Sequence, residues 1–238
     1  MKFPDSTEFI WFLGCSGRKV LSVKNLAAGL LIALLPLSLA AQSNSKPSSP
    51  LGSVIARFEL QDATLVEGVS KLSSFAIPGL HLGMEEILDN PTQRATTVRF
   101  SLKLNNATVR EVLNQLCKYD GRYTWALDGQ TVNIYPGAAK TDGAYLMNLH
   151  IDQIEVQNIV DPFAALEPLH HVLPNQQLGY SYVGASPNYP EPWTVRFENL
   201  TVRQYINRIT ERVEPNGGWV LQGAVNNRSF AFFPNSFK

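Results

Sequence analysis

Two hydrophobic rhythms run along the chain, and each predicts an element. "VIARFEL" at 54–60 alternates apolar and polar residues, as a half-buried strand does. "TLVEGVSKLSSF" at 64–75 then sets Leu65, Val66, Val69, Leu72 and Phe75 on one helical face. "GLHLGM" (79–84) reads as a short strand and "EEILDNPTQ" (85–93) as a loop around Pro91. "TTVRFSLKL" (96–104) alternates throughout, with Val98, Phe100, Leu102 and Leu104 on one side, which predicts a strand with one solvated face. A helix follows from Thr108, its stripe made by Val109, Val112, Leu113, Leu116 and Cys117. "RYTWAL" and "TVNIY" flank Asp128-Gly129, a strong hairpin signal, and Pro136 closes the unit.

After a small-residue linker, "GAAKTDG" (137–143), the order recurs. "AYLMNLHI" (144–151) predicts a strand, 158–173 a helix, and "LGYSYV" (178–183) a strand followed by a Pro-rich loop. "WTVRF" (193–197) predicts a strand, "TVRQYINRITERV" (201–213) a helix, and "GGWVLQG" with "RSFAFFP" a closing hairpin. The two long helices align residue for residue, with Val109, Val112, Leu113, Leu116 and Cys117 matching Val202, Tyr205, Ile206, Ile209 and Thr210. Trp125 matches Trp219. The expected fold class is therefore α+β: two tandem modules, 54–136 and 144–235, each β-α-β plus β-α-β-β with helices packed on mixed sheets.

One string marks the strand-to-helix joints. "LQDATLVE" (60–67), "LNNATVRE" (104–111) and "FENLTVRQ" (197–204) share an apolar residue, a polar one, Asp or Asn, Ala or Leu, then Thr, with Glu or Gln three residues later. The Thr hydroxyl at such a position accepts from the amide three residues on, and the Glu or Gln reaches back to the Thr amide. Thr64 with Glu67, Thr108 with Glu111 and Thr201 with Gln204 are thus expected to be structural helix caps. The fourth joint, "IEVQNIVDPF" (154–163), is degenerate: either Asn158 and Asp161 form a weaker box, or Asp161 caps with Pro162 at the first helical position.

The N-terminus adds a leader. Arg18, Lys19 and Lys24 precede an apolar run from Leu26 to Ala41, with Ser38 and Ala40 at a spacing suited to signal peptidase. Residues 1–40 read as a secretory signal peptide, the alternative being an uncleaved inner-membrane anchor, and the expected location is periplasmic. Residues 41–53, Ser/Pro-rich, read as a tether, with ordered sequence expected from Val54. Removing residues 1–40 takes four basic and two acidic residues from the 20 of each, which leaves a net charge of about −2. That balance argues against a nucleic-acid partner. Cys117 would be the single cysteine of the exported chain, so no internal disulfide is expected.

The modules resemble the short N-terminal domain shared by secretins and TonB-dependent receptors. The residues that carry this are "ARFELQDATLVEGVSKLSSFAIPGLHLGMEE" and "VRFSLKLNNATVREVLNQLCKYDGRYTWALDGQTVNIYP". The first unit matches over nearly its whole length, the second from Trp193 on. In those families the domain precedes an outer-membrane barrel, and no barrel-forming strand series follows before Lys238. The resemblance implies an exported interaction module of a Gram-negative envelope, with an envelope protein of a secretin or TonB-linked system as partner. It implies contact with the membrane only through the leader, if that stays uncleaved.

No catalytic residue, cofactor or metal site is expected. Cys117 sits on an apolar stripe, where a small core residue is the simpler account. His81, His150, His170 and His171 show no ligand spacing, and no phosphate loop or nucleophile elbow is present. Three glycosylation-type triplets begin at Asn106, Asn199 and Asn227, and the first two coincide with the joint motif. The least ordinary stretch is "LGYSYVGASPNYPEPW" (178–193), where Tyr180, Tyr182, Tyr189 and Trp193 cluster around three prolines. These four are candidate contacts for a partner or a glycan. The leading expectation is a non-enzymatic protein–protein interaction or scaffold module; the alternative is a small-ligand or glycan binder using that loop.

Overall fold

The computed structural model describes residues 49–87, 97–173, 178–182, 191–213, 217–224 and 227–233. Residues 1–40, expected from the sequence to be a leader, lie outside them. In the first half, β1 (Val54–Ala63), α1 (Leu65–Ser73) and β2 (His81–Glu85) are followed by β3 (Phe100–Thr108), α2 (Val109–Tyr119), β4 (Tyr123–Asp128) and β5 (Thr131–Pro136). In the second, β6 (His150–Ile159), α3 (Pro162–Leu166), α4 (Leu169–Val172) and β7 (Leu178–Tyr182) are followed by β8 (Trp193–Thr201), α5 (Val202–Val213), β9 (Gly218–Ala224) and β10 (Asn227–Phe233). The fold class is α+β, with helices on mixed sheets.

Each half has its own apolar core. The first gathers Phe58, Leu72, Leu82, Val109, Leu113 and Leu116; the second gathers Ile154, Ile159, Tyr205, Ile209, Trp219 and Phe230. The joint motifs place these helices. Thr64 Oγ1 accepts from Glu67 N and Glu67 Oε2 accepts from Thr64 N at 3.2 and 2.6 Å, and Thr108 with Glu111 does the same at 3.2 and 2.7 Å. Thr201 with Gln204 repeats both bonds at 3.2 and 2.9 Å. At the fourth joint Asp161 caps α3 by accepting from Ala164 N, with Pro162 in the first turn.

The Asp or Asn of the motif has a separate role. Asp62, Asn106 and Asn199 all have positive φ (45°, 50° and 55°), and Asn158 at the fourth joint has 56°. Asp and Asn tolerate the left-handed region better than other residues with a Cβ, because their short polar side chains bond locally. In β1 and β6 this residue coincides with a register slip. Leu60 faces Leu102 but Ala63 faces Phe100; likewise Val156 faces Val195 but Ile159 faces Trp193. The slip is a bulge that turns each antiparallel pair as its chain enters the helix.

Several sequence boundaries move. Order begins before Val54: Pro50–Gly52 form a 3-10 turn, Leu51 is buried, and Ser53 O accepts from Val109 N at 3.0 Å. The strand expected at 96–104 starts at Phe100 and runs on to Thr108, because its partner β1 offers rungs only from Ala63 back to Val54. Residues 144–149 are not strand; Leu146–Asn148 is a 3-10 turn that buries Leu146 and Met147. The helix expected at 158–173 is instead the end of β6 and two short helices. Pro168, which has no amide hydrogen to donate, stands between them. The 137–143 linker is strapped down, since Asn148 Nδ2 donates to the carbonyls of Ala139 and Asp142.

Candidate partner-binding edge

The halves are not two separate beads. Their three-stranded sheets merge into one six-stranded sheet of order β4-β5-β2-β9-β10-β7. The seam is a parallel pairing of β2 with β9, in which Gly83 faces Trp219 and Glu85 faces Leu221. Gly83 is needed there: a Cβ at this position would stand 2.5 Å from the Trp219 ring. Gly218 is equally confined, with Leu82 O at 2.3 Å from the place of its Cβ.

Helix α5 clamps the seam with one polar stripe. Arg203, Asn207 and Glu211 follow one another at intervals of four, so they share a helical face. Arg203 reaches the Glu85 carboxylate with Nε at 2.5 Å and Nη2 at 3.2 Å, and its guanidinium lies over the Tyr135 ring at 4.6 Å. Asn207 Nδ2 donates to Asp128 Oδ2 at 3.0 Å, while its Oδ1 accepts from Trp219 Nε1 at 2.9 Å. Glu211 Oε1 accepts from Gln130 N at 3.2 Å and Thr131 Oγ1 at 3.0 Å.

The seam is dry. Glu85 is fully buried, and its burial pushes the carboxyl up, with Arg203 pulling the other way. For Arg203 the same burial is outweighed by the carboxylate, so the guanidinium stays firmly charged. The Tyr145 hydroxyl, raised first by burial and then by the neighbouring Glu85, is held protonated. His81 is buried beside Glu211 and is pushed down by that burial.

A strand that adds to an exposed sheet edge uses this same geometry. The six-stranded sheet ends in two strands, β4 and β7, each hydrogen-bonded to one neighbour only among the described residues. These two edges are the candidate site.

The candidate aromatics are placed differently from one another. Tyr180 belongs to the second core: its ring stacks with Phe230 and meets His170 edge-on, and its hydroxyl donates to Leu166 O at 3.1 Å. Trp193 is buried, with the Arg212 guanidinium over its ring at 5.0 Å. Tyr182 ends β7, and Tyr189 lies outside the described residues. Tyr180 and Trp193 thus face inward as packing residues. The strand pairing of Trp193 with Ile159 explains this, because it puts the indole on the core side of the β6–β8 pair.

Other chemistry is self-contained. A cleft of about 350 Å³ is lined by Thr64, Glu86, Asp120, Arg122 and Tyr123 among others, but Asp120 and Arg122 pair at 2.7 Å and Tyr123 Oη accepts from Ile87 N. Burial raises the Cys117 thiol to about 11, which suppresses the thiolate. Among the described residues no three His, Cys, Asp or Glu gather as a metal site, and no helix is long and apolar enough to cross a membrane.

The seam was not among the residues singled out from the sequence. One signal for it existed: Arg203, Asn207 and Glu211 form a second stripe on a helix whose apolar stripe already faces its own core. No protein-family model matches the chain, and no curated protein or solved structure matches it either.

Proposed function

We propose that the chain is an exported, non-catalytic interaction module of the cell envelope, and that it binds other proteins by extending its sheet. The observation that carries this reading is the β2–β9 seam, where one half already recognises the other through strand addition. Among the described residues, β4 and β7 leave the same kind of bonding unused at both ends of the sheet. Supporting it are the leader pattern, the near-neutral charge and the resemblance of the joint motifs to secretin and TonB-dependent receptor N-terminal domains. A secretin or TonB-linked envelope protein is the corresponding partner. Glycan binding through 178–193 is the less favoured reading, since Tyr180 and Trp193 are committed to packing.

The test is a pull-down from envelope extract beside a glycan array, using the wild type and two edge variants, Leu127→Pro in β4 and Tyr182→Pro in β7, at alternate positions whose N–H groups point away from β5 and β10. Proline removes an edge donor and blocks augmentation while a strand at a sheet margin tolerates it. A partner lost in either variant, with unchanged circular dichroism, is the expected result. A specific glycan signal abolished by Tyr189→Ala would overturn it.

A further inference from the structure

Beside the buried cluster of the seam lies a cavity of about 240 Å³, where the ends of β2 and β5, the 137–142 segment and the start of β10 come together. Its wall carries an arginine unlike the others. Among the described residues four arginines are half-buried: Arg122, Arg203, Arg208 and Arg228. Three of them meet a carboxylate, Asp120 at 2.7 Å, Glu85 at 2.5 Å and Glu211 at 3.1 Å. Arg228, on the cavity wall, has no ion pair among the described residues, and its Nε and Nη1 are closed off from solvent without a hydrogen bond. Withdrawing a cation from water costs stability unless a counter-charge takes the place of water. Burial accordingly pushes this guanidinium down, with the Tyr145 hydroxyl acting the other way.

We infer that this cavity binds a small organic monocarboxylate, whose carboxylate pairs with Arg228 and accepts from the Tyr145 hydroxyl, and whose apolar body lies along Ile87, Pro136 and Ala139. This goes beyond the interaction-module reading and does not rest on it. The Tyr145 hydroxyl is on the same wall, buried beside Glu85 and without a well-formed hydrogen bond. Glu85 itself does not answer Arg228, because it is held by Arg203. A turn of the Arg228 guanidinium about its last torsions brings its buried donors to the cavity that the side chain lines, and a planar fork of donors suits a carboxylate.

The other walls narrow the ligand class. The volume is that of about eight water molecules, which limits the ligand to about ten non-hydrogen atoms. Glu86 and Asp142 also line the cavity, and two carboxylates beside the ligand oppose a second negative charge on it. A monoanion with an apolar body is therefore favoured over phosphate or a dicarboxylate. The cavity is also tied to the seam. Asn148 Nδ2 holds the carbonyls of Ala139 and Asp142, while its Oδ1 accepts from Arg203 Nη1 at 2.8 Å. A ligand held there stabilises the joint between the halves, because it binds only the folded arrangement.

The experiment uses residues 45–238, the compact unit that holds every described residue, titrated with benzoate and with hexanoate by saturation-transfer NMR and by thermal melting. At least one of the two is expected to bind saturably at or below about 10 mM, as the efficiency of small ligands allows, and to raise the melting temperature with its concentration. The corresponding neutral amide, benzamide or hexanamide, should bind at least about tenfold more weakly. Arg228→Met should abolish carboxylate binding without lowering the melting temperature of the ligand-free protein, since it removes a charge that has no partner; an arginine with a purely structural role would lower it. Ala138→Phe, at an exposed position on the cavity wall, should block binding with Arg228 in place, and it decides the matter if Arg228→Met fails to fold. No saturable binding of either carboxylate, binding unchanged by either variant, or an amide that binds as well as its acid overturns the inference. Tighter binding of phosphate or succinate also overturns it, by making a dianion the occupant.

Discussion

Trp125 and Trp219 make the same hydrogen bond to the same residue type on equivalent helices, yet one lies at an open edge and the other is fully buried. Part of the difference is local: Gly218, where a Cβ would meet Leu82 O at 2.3 Å, precedes Trp219, whereas Thr124 precedes Trp125. The rest lies in what the neighbouring edge supplies: β2 brings Gly83 and Glu85 to the second half, and nothing described in this chain does so for the first. The lesson is that a repeated element is read correctly only with its surroundings. Identical parts become core at one copy and surface at the other.

That comparison is open to measurement. The largest contrast should come from the two tryptophans. Trp219→Ala is expected to cost about 3–5 kcal/mol in urea unfolding, as a buried aromatic does, and Trp125→Ala under about 1 kcal/mol. Equal losses would mean that the first half's face is as enclosed as the second's. Next is the seam's ion pair. Glu85→Ala leaves Arg203 buried without its carboxylate and should cost roughly 3 kcal/mol, whereas Arg110→Ala, whose residue is exposed, should fall within about 0.5 kcal/mol.

The caps come third. Thr108→Ala and Thr201→Ala should each cost about 1 kcal/mol. Acid separates them. The Thr64 and Thr108 backbone amides, bonded to Glu67 and Glu111, hold those carboxyls below their usual value of 4.5. A lowered carboxyl contributes stability above its unfolded value and loses it as pH falls through the folded one. Glu67→Gln and Glu111→Gln should therefore flatten the loss of stability below about pH 4.5, while Gln204→Glu should add to it.

The smallest effect concerns His81 at the seam. Its folded value is pushed below 6.5 by burial, so the folded protein binds fewer protons than the unfolded chain just below that pH. Stability should decline as pH drops from about 6.5, before the carboxyl caps titrate, and His81→Asn should remove that early slope. Glu211, which faces it, acts in the opposite direction to that burial.

Much of the local structure was legible in the chain. The alternation in 193–197, the i, i+3, i+4 stripes of α2 and α5, and the Thr-x-x-Glu/Gln boxes all act between residues within a turn or a rung of each other, and each appears where the pattern put it; in 54–60 the strand forms, but it buries Ile55 and Phe58 and leaves Val54 exposed, so its inward face is not the simple alternation. The misreadings had local causes too. The apolar run in 144–149 suited a strand, yet among the described residues no partner edge pairs with it, and Leu146–Asn148 folds as a 3-10 turn that fills the core. In 158–173 the helical spacing was right only in pieces, because β6 needs Ile159 for its last rung with Trp193 and Pro168 interrupts the rest. The Asp or Asn of the joint was visible as a repeat, but its positive φ was not; at Asp62 and Asn158 that conformation goes with a bulge in the strand pair, which no short stretch of sequence displays.

What the sequence by itself determined is the set of parts: strands, helices, caps, and the duplication that relates the halves. Those depend on contacts close along the chain. What only the tertiary structure decided is how the halves meet. The β2–β9 seam joins residues more than 130 positions apart, and strand edges look alike in sequence because their bonds are made by backbone. The choice between edges came from a glycine that leaves room for an indole and a carboxylate that answers a guanidinium, and neither has meaning until the two are side by side.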